Sequence, residues 1–163
     1  MAPRFSIDRA DLERAYLGLQ AIIHPDRFAS AGDAERRASM QWTTRVNEAY
    51  RTLRSPVQRA RYLLELNGVD AAFETDTAMP TEFLAQQLEL REGLEQAIAD
   101  RQTDSLVRIQ IGLAKQKSAL ETQVAELIDR NRNFMQASQL TRKLMFLEKL
   151  GVEIDAAFET LEA

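Results

Sequence analysis

One histidine occurs in the 163 residues, and it opens the tripeptide His24-Pro25-Asp26. An imidazole beside a carboxylate could move a proton, hold a metal or grip another protein. Metal binding lacks its ligands, since there is no second histidine and no cysteine. Acid–base or nucleophilic chemistry lacks a partner as well, because no serine, lysine or carboxylate pair stands out beside the imidazole. A turn presented to another polypeptide remains. Its bland alternative is a helix-terminating turn, in which Asp26 bonds local amides and His24 faces the helix C-terminus.

The surrounding pattern is helical throughout, without strand-like alternation and with only four prolines and six glycines, so the fold class is all-α. Asp8 is an N-cap candidate with Asp11 at the third helical position, and Leu12, Tyr16, Leu19 and Ile23 share one face of a helix that Pro25 ends. After a polar loop from Arg27 to Gly32, Asp33 can cap a long helix with an inward stripe of Trp42, Val46, Ala49, Tyr50 and Leu53. These two helices make an antiparallel hairpin with the tripeptide at its tip. Ser55-Pro56 starts a short helix that stops at Asn67-Gly68. Residues 71–79 read as a linker, so one unit spans 1–70 and a second spans 80–163.

In the second unit three helices are expected, over about 80–100, 104–129 and 133–162, packed as a three-helix bundle. Leu106, Leu113, Leu120 and Leu127 recur every seven residues in the middle one. The last carries Leu140, Leu144, Leu147, Ile154, Phe158 and Leu161 on one stripe. On the first, Phe83, Leu90, Leu94, Ala97 and Ile98 form the core face, while Leu84 and Leu88 lie about 100–140° away. Phe146 is similarly displaced on the last helix. Such off-stripe apolar residues either widen the core toward the first unit or form a surface for a partner, rimmed by acid.

The net charge of -4 argues against a general nucleic-acid binder. The charge is uneven: residues 1–70 have eleven arginines against nine acids, whereas 71–163 have ten basic and sixteen acidic residues. The two halves should prefer different partners. Absence of cysteine suits a reducing compartment, with the cytoplasm as default, and no run of about 18 apolar residues suggests a membrane span.

The order helix, His24-Pro25-Asp26, Arg27-Phe28, polar loop, then a helix ending Asn47-Glu48-Ala49-Tyr50-Arg51-Thr52-Leu53 resembles a J domain. With Arg61-Tyr62-Leu63-Leu64, Gln87-Leu88-Glu89-Leu90-Arg91-Glu92 and Arg142-Lys143-Leu144-Met145-Phe146-Leu147, nearly the whole chain is similar to the HscB family of J proteins in bacterial iron–sulfur cluster assembly. The resemblance implies a co-chaperone, not an enzyme, without cofactor or metal. His24, Pro25, Asp26 and Arg27 would contact a DnaK-type chaperone, HscA, and promote its ATP hydrolysis. Leu84, Ala85, Leu88, Glu89, Glu92, Gln96 and Phe146 would bind the scaffold protein IscU.

Departures from the family pattern carry expectations of their own. J domains have a short apolar helix before the one that starts after Asp8; here only Met1 to Phe5 stand in its place, so that helix reads as truncated or absent and the Leu12, Tyr16, Leu19 stripe as less covered. Ala21-Ile22-Ile23 replaces the usual basic residues before the tripeptide, so electrostatic docking would lean on Arg27, Arg14 and the arginines of the next helix. Ala85 and Gln96 replace a larger apolar residue and an acid, which predicts a weaker scaffold contact. Two other readings compete. One is a general J protein for unfolded chains, although no glycine-rich or zinc-ribbon segment is present. The other is a structural helical protein pairing through its leucine seam; Gln116 within the seam disfavours a free-standing coiled coil, while weak self-association stays open.

Overall fold

A computed structural model describes residues 3–69 and 79–162. Among these residues there are six α-helices and no strand, so the protein is all-α as its periodicity implies. The helices are α1 (Arg9–Ile23), α2 (Asp33–Arg54), α3 (Pro56–Leu66), α4 (Thr81–Ala99), α5 (Thr103–Ala125) and α6 (Phe134–Glu162). A 3-10 turn, Pro25–Phe28, follows α1, and a π turn, Glu126–Arg130, continues α5. Of the expected linker, only Met79 lies within the described residues.

Local chemistry accounts for the helix ends. Asp8 caps α1, its carboxylate accepting from the N–H groups of Ala10 and Asp11. Ser55 caps α3 through its hydroxyl, which accepts the Gln58 N–H, and Pro56 takes the first helical position. The α3 helix ends with Gly68 at φ +73°, where its missing Cβ makes the left-handed turn inexpensive. At α2 the cap differs from expectation: Gly32, not Asp33, is the capping residue, and the Glu35 carboxylate accepts the Gly32 N–H at 3.3 Å. Asp33 instead sits in the first turn and pairs with Arg36. An acid is favourable there as well, close to the positive end of the helix dipole.

Two apolar clusters organise the chain. In one, Val57, Ala60, Leu63 and Leu64 of α3 pack with Phe5 against Val124, Ile128, Ala137 and Leu144. In the other, Phe83, Leu94 and Ala97 of α4 close on Leu106 and Leu113 of α5 and on Leu147, Leu150, Ile154 and Ala157 of α6. The bundle is therefore the expected three-helix solution, with α4 and α6 running parallel: Phe83 meets Phe146, and Arg91 pairs with Glu153 further along both helices. The leucine seam of α5 drifts as a seven-residue spacing must on a 3.6-residue helix. Leu106 and Leu113 are buried, Leu120 and Leu127 only half-buried, and Val124 and Ile128 take over.

The hairpin of α1 and α2 departs from its predicted core. No residue of α1 is buried, and the one buried in α2 is Ser39. Trp42, expected inward, is 55% exposed, and Ala49 is exposed too. Trp42 lies on the flank of the α1-facing row, while Ser39, Thr43 and Asn47 occupy the seam itself. Between the helices an apolar groove of about 180 Å³ is open to solvent, lined by Leu12, Ala15, Leu19, Val46, Ala49 and Leu53. Phe5, considered above as the remnant of a leading helix, is instead in a non-helical segment with its ring buried beside α3.

Candidate functional site

The tripeptide occupies the tip of the hairpin, and its shape is set by backbone bonds. Pro25 cannot continue α1, because it has no N–H and its ring would clash with the preceding turn. His24 takes φ -56° and ψ 131° as the helix ends, and Pro25 starts the 3-10 turn. The His24 Nδ1 accepts the Asp26 N–H at 3.3 Å. In the neutral ring the proton then belongs on Nε2, which makes that nitrogen the donor available to a partner. Both side chains are open to solvent, His24 51% and Asp26 90% exposed, and Nδ1 lies 3.5 Å from the Asp26 carboxylate.

Three groups fix the turn relative to the helices. Arg27 donates to the Ala21 carbonyl at 2.7 Å, and its N–H donates to the His24 carbonyl at 3.0 Å. Ser39 of α2 donates its hydroxyl to the Ile23 carbonyl at 2.6 Å. Two of the last carbonyls of α1, those of Ala21 and Ile23, are thereby bonded, with that of the cap residue His24. Below the tip, Tyr16 stacks on Tyr50 with centroids 4.1 Å apart, and Asn47 Oδ1 accepts from Tyr16 Oη and Gln20 Nε2. Arg27, expected as a contact residue, thus also closes the turn. Arg14, expected to help docking, is paired with Asp11 on its own helix.

The second constellation lies along α4 and α6. Leu84 and Leu88 are 44% and 59% exposed, and Ala85, Glu89, Glu92 and Gln96 are exposed around them. They do not widen the core. Phe146 is half-buried, not exposed as its displacement suggested: its ring stands edge-on to Phe83 with centroids 6.1 Å apart. Lys143 places its ammonium 5.5 Å from the Phe83 centroid on the same flank. Gln96 donates to the Asp100 carboxylate at 2.6 Å. Arg91 makes two bonds of 3.1 Å to Glu153, which lock α4 to α6 beside the leucines. The result is a shallow apolar seam with an acidic outer edge on α4.

Comparison with known proteins decides the family. A co-chaperone HscB homolog of Azoarcus sp. (strain BH72) is 49% identical over 162 residues, covering 99% of this chain and 92% of that protein. The chain belongs to the HscB family of co-chaperones. Another HscB homolog, from Paraburkholderia phymatum, is 46% identical over 159 residues, covering 98% of this chain and 90% of its own. The family model described as the HSCB C-terminal oligomerisation domain matches residues 79–155. The fold agrees. The chaperone HscB from Vibrio cholerae superposes with a TM-score of 0.83 at 30% identity, covering 99% of this chain and 94% of that one. Human co-chaperone HscB superposes with a TM-score of 0.87 at 27% identity, over 95% of this chain and 77% of its own.

Sequence reasoning missed two features of HscB architecture in this chain. Gln87, within the quoted α4 motif, is buried and not on the surface. Phe5, Arg59 and Asp129 interlock where α3 meets the π turn: Asp129 accepts from Phe5 and Ser6 N–H at 2.6 and 2.9 Å, and Arg59 Nε donates to the Phe5 carbonyl at 2.7 Å. The signal for the second was an aromatic in a segment otherwise without periodicity. No helix among the described residues is long and apolar enough to cross a membrane.

Proposed function

We propose that this HscB-family co-chaperone joins two partners: a specialised DnaK-type chaperone of the HscA kind, whose ATPase it stimulates, and an iron–sulfur scaffold of the IscU kind, which it delivers to that chaperone. Residues 1–70 act as the J domain and residues 80–163 as the scaffold-binding domain, joined through 71–79. His24, Pro25, Asp26 and Arg27 form the chaperone contact. Leu84, Leu88 and Phe146 form the apolar centre of the scaffold contact, with Ala85, Glu89, Glu92 and Gln96 around it. The protein carries out no covalent step of its own, and the expected compartment is the cytoplasm.

The observation that carries this reading is the pairing of an exposed, backbone-braced His24–Asp26 turn with solvent-exposed leucines on a separate helix of one folded chain. Leu84 and Leu88 are outside the buried core of the bundle, and a central apolar seam with a charged rim is how protein interfaces are built. The rim acids would steer and orient a basic partner more than they would tighten it.

The test is a titration of purified chaperone ATPase with this protein, in the presence and absence of the scaffold. Stimulation by the protein alone and a greater-than-additive rate with the scaffold are expected. His24→Gln should abolish the stimulation while leaving scaffold affinity intact. Full stimulation by that variant would remove the J-domain role. Unchanged scaffold affinity after replacing Leu84, Leu88 and Phe146 together by alanine would remove the scaffold role.

A further inference from the structure

One side chain in the α4–α6 seam does not suit a purely structural position. Gln87 is 4% exposed, and its buried Nε2 has no hydrogen-bond partner among the described residues. A sealed amide donor left unpaired destabilises a fold, and methionine or leucine would fill a similar volume with no such penalty. Some other use must offset the cost, or the residue is simply unfavourable.

Its position indicates that use. On α4, Gln87 lies one turn after Phe83 and one turn before Arg91, the two residues that reach across to Phe146 and Glu153. It is therefore level with the stretch of α6 between Phe146 and Leu150. Its neighbours on the solvent side of the helix are Leu84 and Leu88, which are 44% and 59% exposed. Exposed leucines change rotamer within nanoseconds, so the side chains flanking Gln87 on this side can move at little cost.

We propose that Gln87 is a polar anchor of the scaffold-binding groove, its Nε2 donating to an oxygen of the scaffold chain when that chain parts Leu84 and Leu88. This rests on the scaffold reading above and adds what the scaffold must present. The acceptor is an oxygen free of other bonds, so the docking segment presents a carbonyl from a loop or a helix C-terminus, or a side-chain oxygen, and not a backbone carbonyl on the side of a helix, which is already bonded. The apolar seam supplies contact area, and the anchor supplies register, since an apolar segment without a free oxygen at that point leaves the donor unpaired.

Calorimetric titration of the purified scaffold into the full chain tests the inference, with Gln87→Met and Gln87→Leu beside the parent. Both variants should fold with a thermal midpoint equal to or above the parent's, stimulate the chaperone ATPase equally in the absence of scaffold, and bind scaffold about tenfold more weakly. Parent-like affinity in both variants, with the Leu84, Leu88 and Phe146 alanine replacement still weakening binding, overturns the anchor and leaves the scaffold reading standing. If that triple replacement also has no effect, both fall. A lower thermal midpoint in both variants shows that the amide is already bonded in the free protein, and overturns the anchor too.

Discussion

The hairpin that carries the tripeptide and the bundle that carries the leucine seam are held together by different physics. In the hairpin no apolar side chain of α1 is buried, and the helices are joined by a Tyr16–Tyr50 stack, the Asn47 bonds and Ser39 on the Ile23 carbonyl. In the bundle Leu106, Leu144, Leu147, Leu150 and Ile154 are all sealed from solvent. The seam is therefore presented on a surface backed by close packing. The tip depends on directional polar contacts, each of modest net value. A turn proposed to fit into another protein can be shaped by local bonds alone, whereas a flat apolar surface needs a rigid layer beneath it.

The largest effect expected from a single substitution lies in the bundle. Leu144→Ala leaves a cavity where α3 meets α6 and should cost about 3 kcal/mol. The single tryptophan, Trp42, sits on the hairpin and allows the two regions to be followed separately. In urea, the Trp42 fluorescence transition of the parent should precede the loss of far-ultraviolet helical signal, and Leu144→Ala should narrow the gap by bringing the helical transition down. Coincident transitions in the parent would mean that the hairpin draws its stability from the bundle, and the contrast would be lost.

A smaller effect sharpens the same contrast from the other side. Asn47→Ala removes the acceptor shared by Tyr16 and Gln20 and should cost the hairpin about 1.5 kcal/mol. Only the fluorescence transition should move. Displacement of the helical transition by the same amount would show that the hairpin and bundle unfold as one unit.

These differences explain what could be read from the chain alone. The place of the tip was legible because what sets it is local: Pro25 ends α1, and a polar loop follows before α2; the bond of Ser39 to the Ile23 carbonyl, made from the next helix, was not. The six helices and most of their ends were legible for the same reason. Trp42 was misplaced because periodicity records which face of a helix is apolar, not which neighbour covers it, and the polar seam of Ser39, Thr43 and Asn47 took the inward position. The edge-on contact of Phe146 is hidden from periodicity because its partner, Phe83, is sixty-three residues away in sequence. The burial of Gln87 was hidden by its polarity, and the Phe5 site by the lack of any pattern around it.

The join between the two regions should respond to acid. Burial opposes the charged form of Asp129, but the bonds from Phe5 N–H and Ser6, with Arg4 nearby, outweigh it and hold the carboxyl below its ordinary 3.8. A depressed carboxyl contributes stability that is complete above the unfolded value and lost as pH falls through the folded one. The Asp129 contribution should therefore persist at neutral pH and begin to be lost as the pH falls below about 4. Asp129→Asn keeps the shape but weakens both bonds, and should lower stability by about 1 kcal/mol at pH 7, with the difference from the parent closing as the pH drops below that range. Thermal melts of both proteins from pH 7 to pH 3 read this directly. A difference that is absent, or that does not change across the range, would mean that the Asp129 charge does not hold the join, and that the Phe5 segment is held by Arg59 and by burial of its ring.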